Sequence, residues 1–303
     1  MWTAASASPR RPGQTRTSAI GCRATVGEAS CSTEPVIQEG EYDWGHPLAG
    51  LFVGRNAVFL GDQGCRPLRT REGHILVPAQ MTVLNAAGEL ETFGSGFDYY
   101  HCLVLIGTWQ PDGRIRWQVS QQIVADPNRT VRGLYEPTLA QMPDGRILCV
   151  MRGSNGLRKD PEYRLPGHKW YSVSADGGFT WSAPAPWRYD DGTAFYSPSS
   201  MSQIIQHSDG RYYWLGNINP TNPRANADRY PLVVGQIDPR SMRLIRDSVT
   251  LIDTRGAADP PELQLSNFFA FEDRQSGDLV LPMGRWTPPN NYQHVIYRVS
   301  TRT

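Results

Sequence analysis

Hydrophobic and polar positions along the chain alternate in short runs that are separated by glycine turns. Four segments share one phrase: an apolar or alternating strand, a turn with glycine, and a second apolar strand. The turn glycines are Gly73, Gly145, Gly210 and Gly277, so the phrase recurs after 72, 65 and 67 residues. Glycine supplies the positive φ that a tight hairpin turn needs. Each copy therefore predicts a β-hairpin, and the regular period predicts radial blades.

Further strand candidates lie between the hairpins, at His101–Trp109, Lys169–Ser174 and Tyr230–Ile237. Together with the hairpins they bring each blade to four strands. Candidates at 51–60 and 297–300 raise the predicted number of blades to five, or to six if both ends of the chain build the closing blade. The pattern thus predicts an all-β fold, a β-propeller, with an ordinary β-sandwich as the alternative.

Composition agrees with many short strands joined by turns, since 24 Pro and 29 Gly accompany 39% hydrophobic residues. The net charge of +1 provides no global attraction to nucleic acid or to an anionic membrane. No apolar run reaches the roughly 18 residues that a membrane-spanning helix requires. An anionic partner must therefore be recognised locally.

Cysteine and histidine spacing gives no sign of a metal or another cofactor. The five cysteines form no CxxC pair, and the six histidines form no HExxH motif. Residues 1–34 are rich in Ser, Thr, Ala and Arg and contain no acidic residue before Glu28. This composition predicts a disordered or artefactual leader, followed by a single propeller domain over residues 35–303.

The most specific motif is Ser174-Ala-Asp176-Gly-Gly178-Phe-Thr-Trp181, which fits the pattern called an Asp box (BNR repeat). Its predicted role is structural, because Asp176 can accept N–H groups of its own turn and Trp181 can wedge between strands. Together with the phrase from Tyr135 to Arg152, the motif resembles the central blades of the sialidase superfamily. The likeness covers about residues 60 to 300.

The resemblance implies that Glu136 polarises a nucleophile and that Arg152 is one of three arginines that hold a substrate carboxylate. Guanidinium forms bidentate bonds to carboxylates, which agrees with this role. A structural ion pair at the end of two strands is the alternative. Tyr135, beside Glu136, is a further candidate for substrate binding.

The other two arginines are less clearly placed. Arg229 lies in an Asn- and Pro-rich segment that resembles the sialidase segment before the next strand, and Arg224 competes with it. In the first blade the family position is Gln63, so Arg66 is the candidate, with Arg69 and Arg71 as alternatives.

One position departs sharply from the family pattern. Phe268 stands where sialidases place a nucleophilic tyrosine, and a phenyl ring has no oxygen to attack an anomeric carbon. Tyr196 is a candidate replacement. Asp98, just before a strand, is the candidate proton donor.

Three functions follow from these residues. The first is a sialidase-like glycoside hydrolase that acts on an acidic, carboxylate-bearing glycan. The alternatives are a polysaccharide lyase on uronate-containing glycans and a catalytically inactive carbohydrate-binding propeller. The resemblance also implies a secreted or periplasmic protein, although no signal peptide is visible in the sequence.

Overall fold

The computed structural model describes residues 35–301 and the backbone of two short paired strands, β1 (Arg23–Thr25) and β2 (Glu28–Ser30). Apart from these strands, the leader predicted at 1–34 lies outside the described residues. Between residues 35 and 301 the regular structure consists of strands β3 to β19 and one short 3-10 helix, Arg246–Ser248. The predicted all-β class is confirmed.

Residues 35–301 form four antiparallel sheets, each built from consecutive strands, which we call blades I to IV. Blade I contains β3 (Val58–Phe59), β4 (Leu68–Arg69), β5 (Ile75–Thr82), β6 (Tyr100–Trp109) and β7 (Ile115–Val119). Blade II contains β8 (Tyr135–Gln141), β9 (Ile147–Arg152), β10 (Lys169–Ser174) and β11 (Ala185–Pro186). Blade III contains β12 (Gln203–Gln206), β13 (Tyr212–Asn217), β14 (Leu232–Asp238), β15 (Arg243–Leu244) and β16 (Thr250–Asp253). Blade IV contains β17 (Phe271–Glu272), β18 (Leu279–Thr287) and β19 (Asn291–Val299).

All four predicted hairpins are present, one in each blade. They pair β4 with β5, β8 with β9, β12 with β13, and β17 with β18. The turn glycines Gly73, Gly145, Gly210 and Gly277 have φ values of +93°, +93°, +86° and +75°. Glycine occupies these positions because residues with a side chain rarely adopt a positive φ.

The hydrophobic core lies between consecutive blades. Leu76 and Val104 of blade I pack with Cys149 of blade II, and separate clusters join blades II to III and III to IV. A fourth cluster covers the other face of blade I with residues from the segment 36–51. Face-to-face stacking in chain order places the corresponding ends of successive blades side by side.

The predicted count of five or six blades is not confirmed, because residues 35–301 form four. The two terminal strand candidates belong to blades already counted. Val58–Phe59 adds β3 to β5 in blade I, and the strand predicted at 297–300 is the end of β19, which pairs with β18. The edge strand of a sheet has unpaired backbone N–H and C=O groups, which can pair with a nearby extended segment. Each of these two strands therefore extends an existing blade and does not form a new one.

The turn around Asp176 has the structural role that its sequence predicts. Its carboxylate accepts hydrogen bonds from the Thr180 N–H at 2.9 Å, the Thr180 hydroxyl at 2.6 Å and the Ser174 hydroxyl at 2.7 Å. Gly178 has φ +98°. The turn delivers Trp181 into the core between blades I and II.

Candidate active site

Glu136 lies at the start of the first long strand of blade II in an unusual backbone conformation. Its φ is +50°, and the pairing register shifts between Tyr135 and Thr138. The Glu136 N–H donates to Gln80 Oε1 at 2.6 Å. Gly61 packs so closely that a Cβ there would lie 3.2 Å from Glu136 Cα. Left-handed backbone at a residue other than glycine costs about 1 kcal/mol or more and is retained where neighbours enforce it, often at functional sites.

Glu136 and Arg152 form a buried ion pair. Arg152 Nη1 donates to Glu136 Oε1 at 2.5 Å, and the two side chains are 12% and 7% exposed for glutamate and arginine respectively. Burial disfavours the charge on Arg152, but Tyr135 and Glu136 outweigh it and raise the pKa of Arg152 above its usual value. Glu136 Oε2 is buried and has no hydrogen-bond partner in the described part of the chain. One carboxylate oxygen is therefore fixed and the other is unused.

Arg152 is held from three further directions. Its Nε donates to Ser199 Oγ at 3.1 Å, and its Nη2 donates to Asn226 Oδ1 at 3.0 Å. The guanidinium lies over the Tyr135 ring at 4.4 Å, and the Tyr135 hydroxyl is 2.8 Å from Ser199 Oγ. All three nitrogens of the Arg152 guanidinium thus donate to protein groups, and one of these bonds fixes Glu136 Oε1.

Arg229 is the arginine of the Asn- and Pro-rich segment that reaches this site. It is 7% exposed, and its Nε donates to the Ser199 carbonyl at 3.0 Å. Burial, and then repulsion from Arg152, lower the pKa of Arg229 to about 10. No carboxylate pairs with it among residues 35–301. Arg224, by contrast, is exposed and pairs with Asp228 at 3.4 Å.

Lys169 adds a third basic group at the same end of blade II. It stands opposite Arg152 in the strand register, is fully buried, and donates to the Ser200 carbonyl. Burial, and then the charge of Arg152, hold its pKa well below the usual range for lysine. Against these cations stand Glu136 and Asp62, whose charge favours the cationic form of Arg152. The cluster therefore contains three basic groups and two carboxylates, and a nearby anion would favour the protonated form of Lys169.

A group of aromatic rings adjoins this cluster, and the charge of Asp98 acts on one of them. Arg132 is positioned over the rings of Tyr100 at 5.4 Å and Tyr135 at 5.3 Å, and the two rings are 5.5 Å apart. Burial raises the pKa of Tyr100, and the nearby charge of Asp98 adds to this rise. Asp98 is half-buried. Its charge therefore acts on Tyr100, whose ring adjoins that of Tyr135.

The structure brings together Glu136, Tyr135, Arg152 and Arg229, but it gives Arg66 and Tyr196 other surroundings. The Arg66 guanidinium is exposed and lies 5.0 Å from the centre of the Phe269 ring. Tyr196 is 37% exposed and stacks with His168 at 6.3 Å. In residues 35–301 neither side chain contacts the Glu136–Arg152 pair. Phe268 is fully buried in the core between blades III and IV.

Several residues that shape the site were missed from the sequence. They are Asp62, Gln80, Arg132, Ser199 and Asn226. Gln80 carried a readable signal, since it is a polar residue inside a strand that is otherwise almost wholly buried. Asn226 belongs to the loop singled out for Arg229. Nothing in the sequence around Ser199 distinguishes it from its serine neighbours.

Comparison with known proteins identifies the fold. No family model matches the chain, and no curated protein matches it. The NanB sialidase of Streptococcus pneumoniae aligns over 86% of this chain and 34% of its own, with 16% identity and a TM-score of 0.51. A protein of unknown function from Dyadobacter fermentans aligns over 78% of this chain and 52% of its own, with 13% identity and a TM-score of 0.50. The chain has a sialidase-like propeller fold. It spans about a third and about a half of the lengths of these two proteins.

Within the described residues, no helix is long and apolar enough to cross a membrane. In the same part of the propeller, no group of three His, Cys, Asp or Glu side chains is arranged to hold a metal ion.

Proposed function

We propose that this propeller is a glycoside hydrolase that acts on an acidic glycan and uses Glu136 in its acid/base machinery. The observation that carries the proposal is the state of Glu136: a strained backbone, one oxygen fixed by Arg152, and one buried oxygen without a partner. Native proteins rarely leave a buried polar atom unpaired without a reason. Proton transfer to or from a ligand is such a reason.

The surrounding charge supports an acidic substrate. Arg229 is a buried cation and Lys169 is a buried amine, and the described chain supplies neither with a carboxylate partner. An incoming carboxylate would balance charges that burial now disfavours. The fold shared with a sialidase fits this assignment, and the fold by itself does not specify the sugar.

The reaction we propose proceeds without a tyrosine nucleophile. Phe268 has no oxygen and is fully buried, so a covalent intermediate on that residue is chemically impossible. An inverting route needs two carboxyl groups, one as general acid and one as general base for a water molecule. Glu136 would be one of these groups, and Asp98, two residues before Tyr100, is our candidate for the other.

The test is turnover of an acidic oligosaccharide panel by the wild type and by Glu136→Gln, followed as release of reducing ends. Glutamine keeps the shape and cannot exchange the proton, so we expect turnover to fall about 10²- to 10⁴-fold. Glu162→Gln is the matched control, because Glu162 is an exposed glutamate paired with Arg164. Equal turnover by Glu136→Gln and the wild type would remove Glu136 from the reaction.

Binding without turnover is the second candidate function. Phe268 favours it, because the family's nucleophile position has lost its reactive group. Affinity for an acidic sugar with no product from any member of the panel would establish this function. An unsaturated product with ultraviolet absorbance would instead indicate a lyase.

A further inference from the structure

An open cleft lies between the loop that joins β3 to β4 in blade I and the long strands β18 and β19 of blade IV. Its volume is about 510 Å³, within the range of about 300–1,000 Å³ that is typical of ligand sites. Gln63 of the loop and Asn267 line the cleft and are exposed, and Ile296 of β19 is 70% exposed. A molecule in solution can therefore enter the cleft.

The cleft adjoins the Glu136 site at two points. Gly61, two residues before Gln63, packs against the backbone of Glu136, since a Cβ on Gly61 would lie 3.2 Å from Glu136 Cα. Asn267 lines the cleft and also lines a smaller space beside Arg229. A group that is linked to a sugar at Glu136 can therefore extend into the cleft.

The lining offers hydrogen-bonding groups but no acidic or strongly basic side chain. No Asp, Glu, Lys or Arg is among the residues that line the cleft. Its polar side chains are Gln63, Asn267 and His294, and none of the three makes a hydrogen bond within residues 35–301. A carboxamide donates hydrogen bonds as well as accepting them. These groups complement hydroxyls, and they provide no guanidinium or ammonium to pair with an anionic group.

Apolar side chains form most of the remaining lining. Pro282 of β18 and Ile296 of β19 are directly paired in the strand register, and both are exposed. Val295, beside Ile296, also lines the cleft. A sugar ring presents C–H groups on its faces and hydroxyls around its edge. A lining that combines apolar side chains with a few amides is therefore suited to an uncharged sugar.

We propose that this cleft binds the uncharged sugar to which the acidic sugar of the glycan is linked. This uncharged sugar is the leaving group, which keeps the glycosidic oxygen when water cleaves the bond. The substrate class is therefore a glycan in which an acidic sugar is attached to a neutral one, and not a chain of acidic sugars alone. The inference rests on the proposed function for the glycan and its orientation, but binding of the neutral sugar requires no turnover.

The test is titration calorimetry with three neutral disaccharides, lactose, cellobiose and mannobiose, at millimolar concentrations. We expect at least one of them to bind. Gln63→Ala removes a side chain that donates and accepts, so it should weaken the bound disaccharide about fivefold or more. Asn267→Gly should have the same effect, and glycine suits the φ of +60° at this position. Gln293→Ala is the matched control and should leave affinity unchanged, because Gln293 is an exposed amide of β19 outside the lining. Thermal unfolding of each variant checks that it is folded.

Three results would overturn the inference. One is the absence of binding by all three disaccharides, and another is unchanged affinity in folded Gln63→Ala and Asn267→Gly. The third is a dimer in analytical ultracentrifugation that Ile296→Ser dissociates, with no disaccharide bound, since the cleft would then be a contact between two copies of the chain. Failure of the proposed function has a different signature: a disaccharide binds and responds to both substitutions, but no glycan in the acidic panel is cleaved. Cleavage with a KM that neither substitution changes would keep the hydrolase and remove the cleft from its substrate site.

Discussion

Replacing Arg152 with methionine would leave the Glu136 carboxylate buried without its cation. Methionine keeps much of the aliphatic length of arginine, so the main loss is the charge and its donors. The two side chains are only 7% and 12% exposed, which places the pair in the buried class. Removing one partner of a buried ion pair typically costs about 3–5 kcal/mol. We expect the free energy of unfolding to fall by that amount at pH 7.

Urea unfolding followed by tryptophan fluorescence measures this loss, and a double-mutant cycle isolates the pair. Adding Glu136→Gln removes the orphaned charge, so the double variant should lose about 2 kcal/mol less than the sum of the two single losses. Arg114→Met is the control, since Arg114 pairs with Asp112 at 3.5 Å in solvent and should cost at most about 1 kcal/mol. A loss below about 1 kcal/mol for Arg152→Met, or strict additivity in the cycle, would refute the buried pair.

Two further predictions concern residues outside this pair. Lys169 has a pKa held low by burial, so the unfolded chain binds more protons than the folded chain between the folded pKa and the ordinary value of 10.5. Lys169 should therefore contribute a rise in the free energy of unfolding with pH across that window, by up to about 1.4 kcal/mol per pH unit, so Lys169→Met should lower the slope by that amount while Lys159→Met keeps the wild-type slope. Denaturant titrations at several pH values measure both slopes, and equal slopes for wild type and Lys169→Met would contradict the prediction. Asp176→Ala removes an acceptor of three hydrogen bonds in an exposed turn and should cost about 1–2 kcal/mol of stability without changing affinity for an acidic sugar. A change in that affinity, measured by calorimetry, would show that the turn does more than hold Trp181.

The sequence was sufficient for the elements that local chemistry determines. The four glycine hairpins, the strand Lys169–Ser174 and the Asp176 turn each depend on residues within about ten positions of one another, so they are readable from spacing. The number of blades depends on which sheet each terminal strand pairs with. Val58–Phe59 joins blade I through pairing with Met81 and Gln80, and no local signal records that choice.

The site was predictable only in part, for a related reason. Glu136 and Arg152 are sixteen positions apart on one hairpin, so their proximity follows from the turn between them. Ser199 and Asn226 reach Arg152 from segments 47 and 74 positions away. Such contacts arise from the stacking of blades, which depends on tertiary packing and leaves no periodic pattern in the chain.

Ser199 accepts hydrogen bonds from both guanidinium groups of the site. Its hydroxyl accepts from Arg152 Nε at 3.1 Å, and its backbone carbonyl accepts from Arg229 Nε at 3.0 Å. In the proposed function, ligand binding by Arg229 and alignment of Glu136 would both depend on this one residue. A substitution at Ser199 would remove the hydroxyl that accepts from Arg152 and keep the backbone carbonyl that accepts from Arg229.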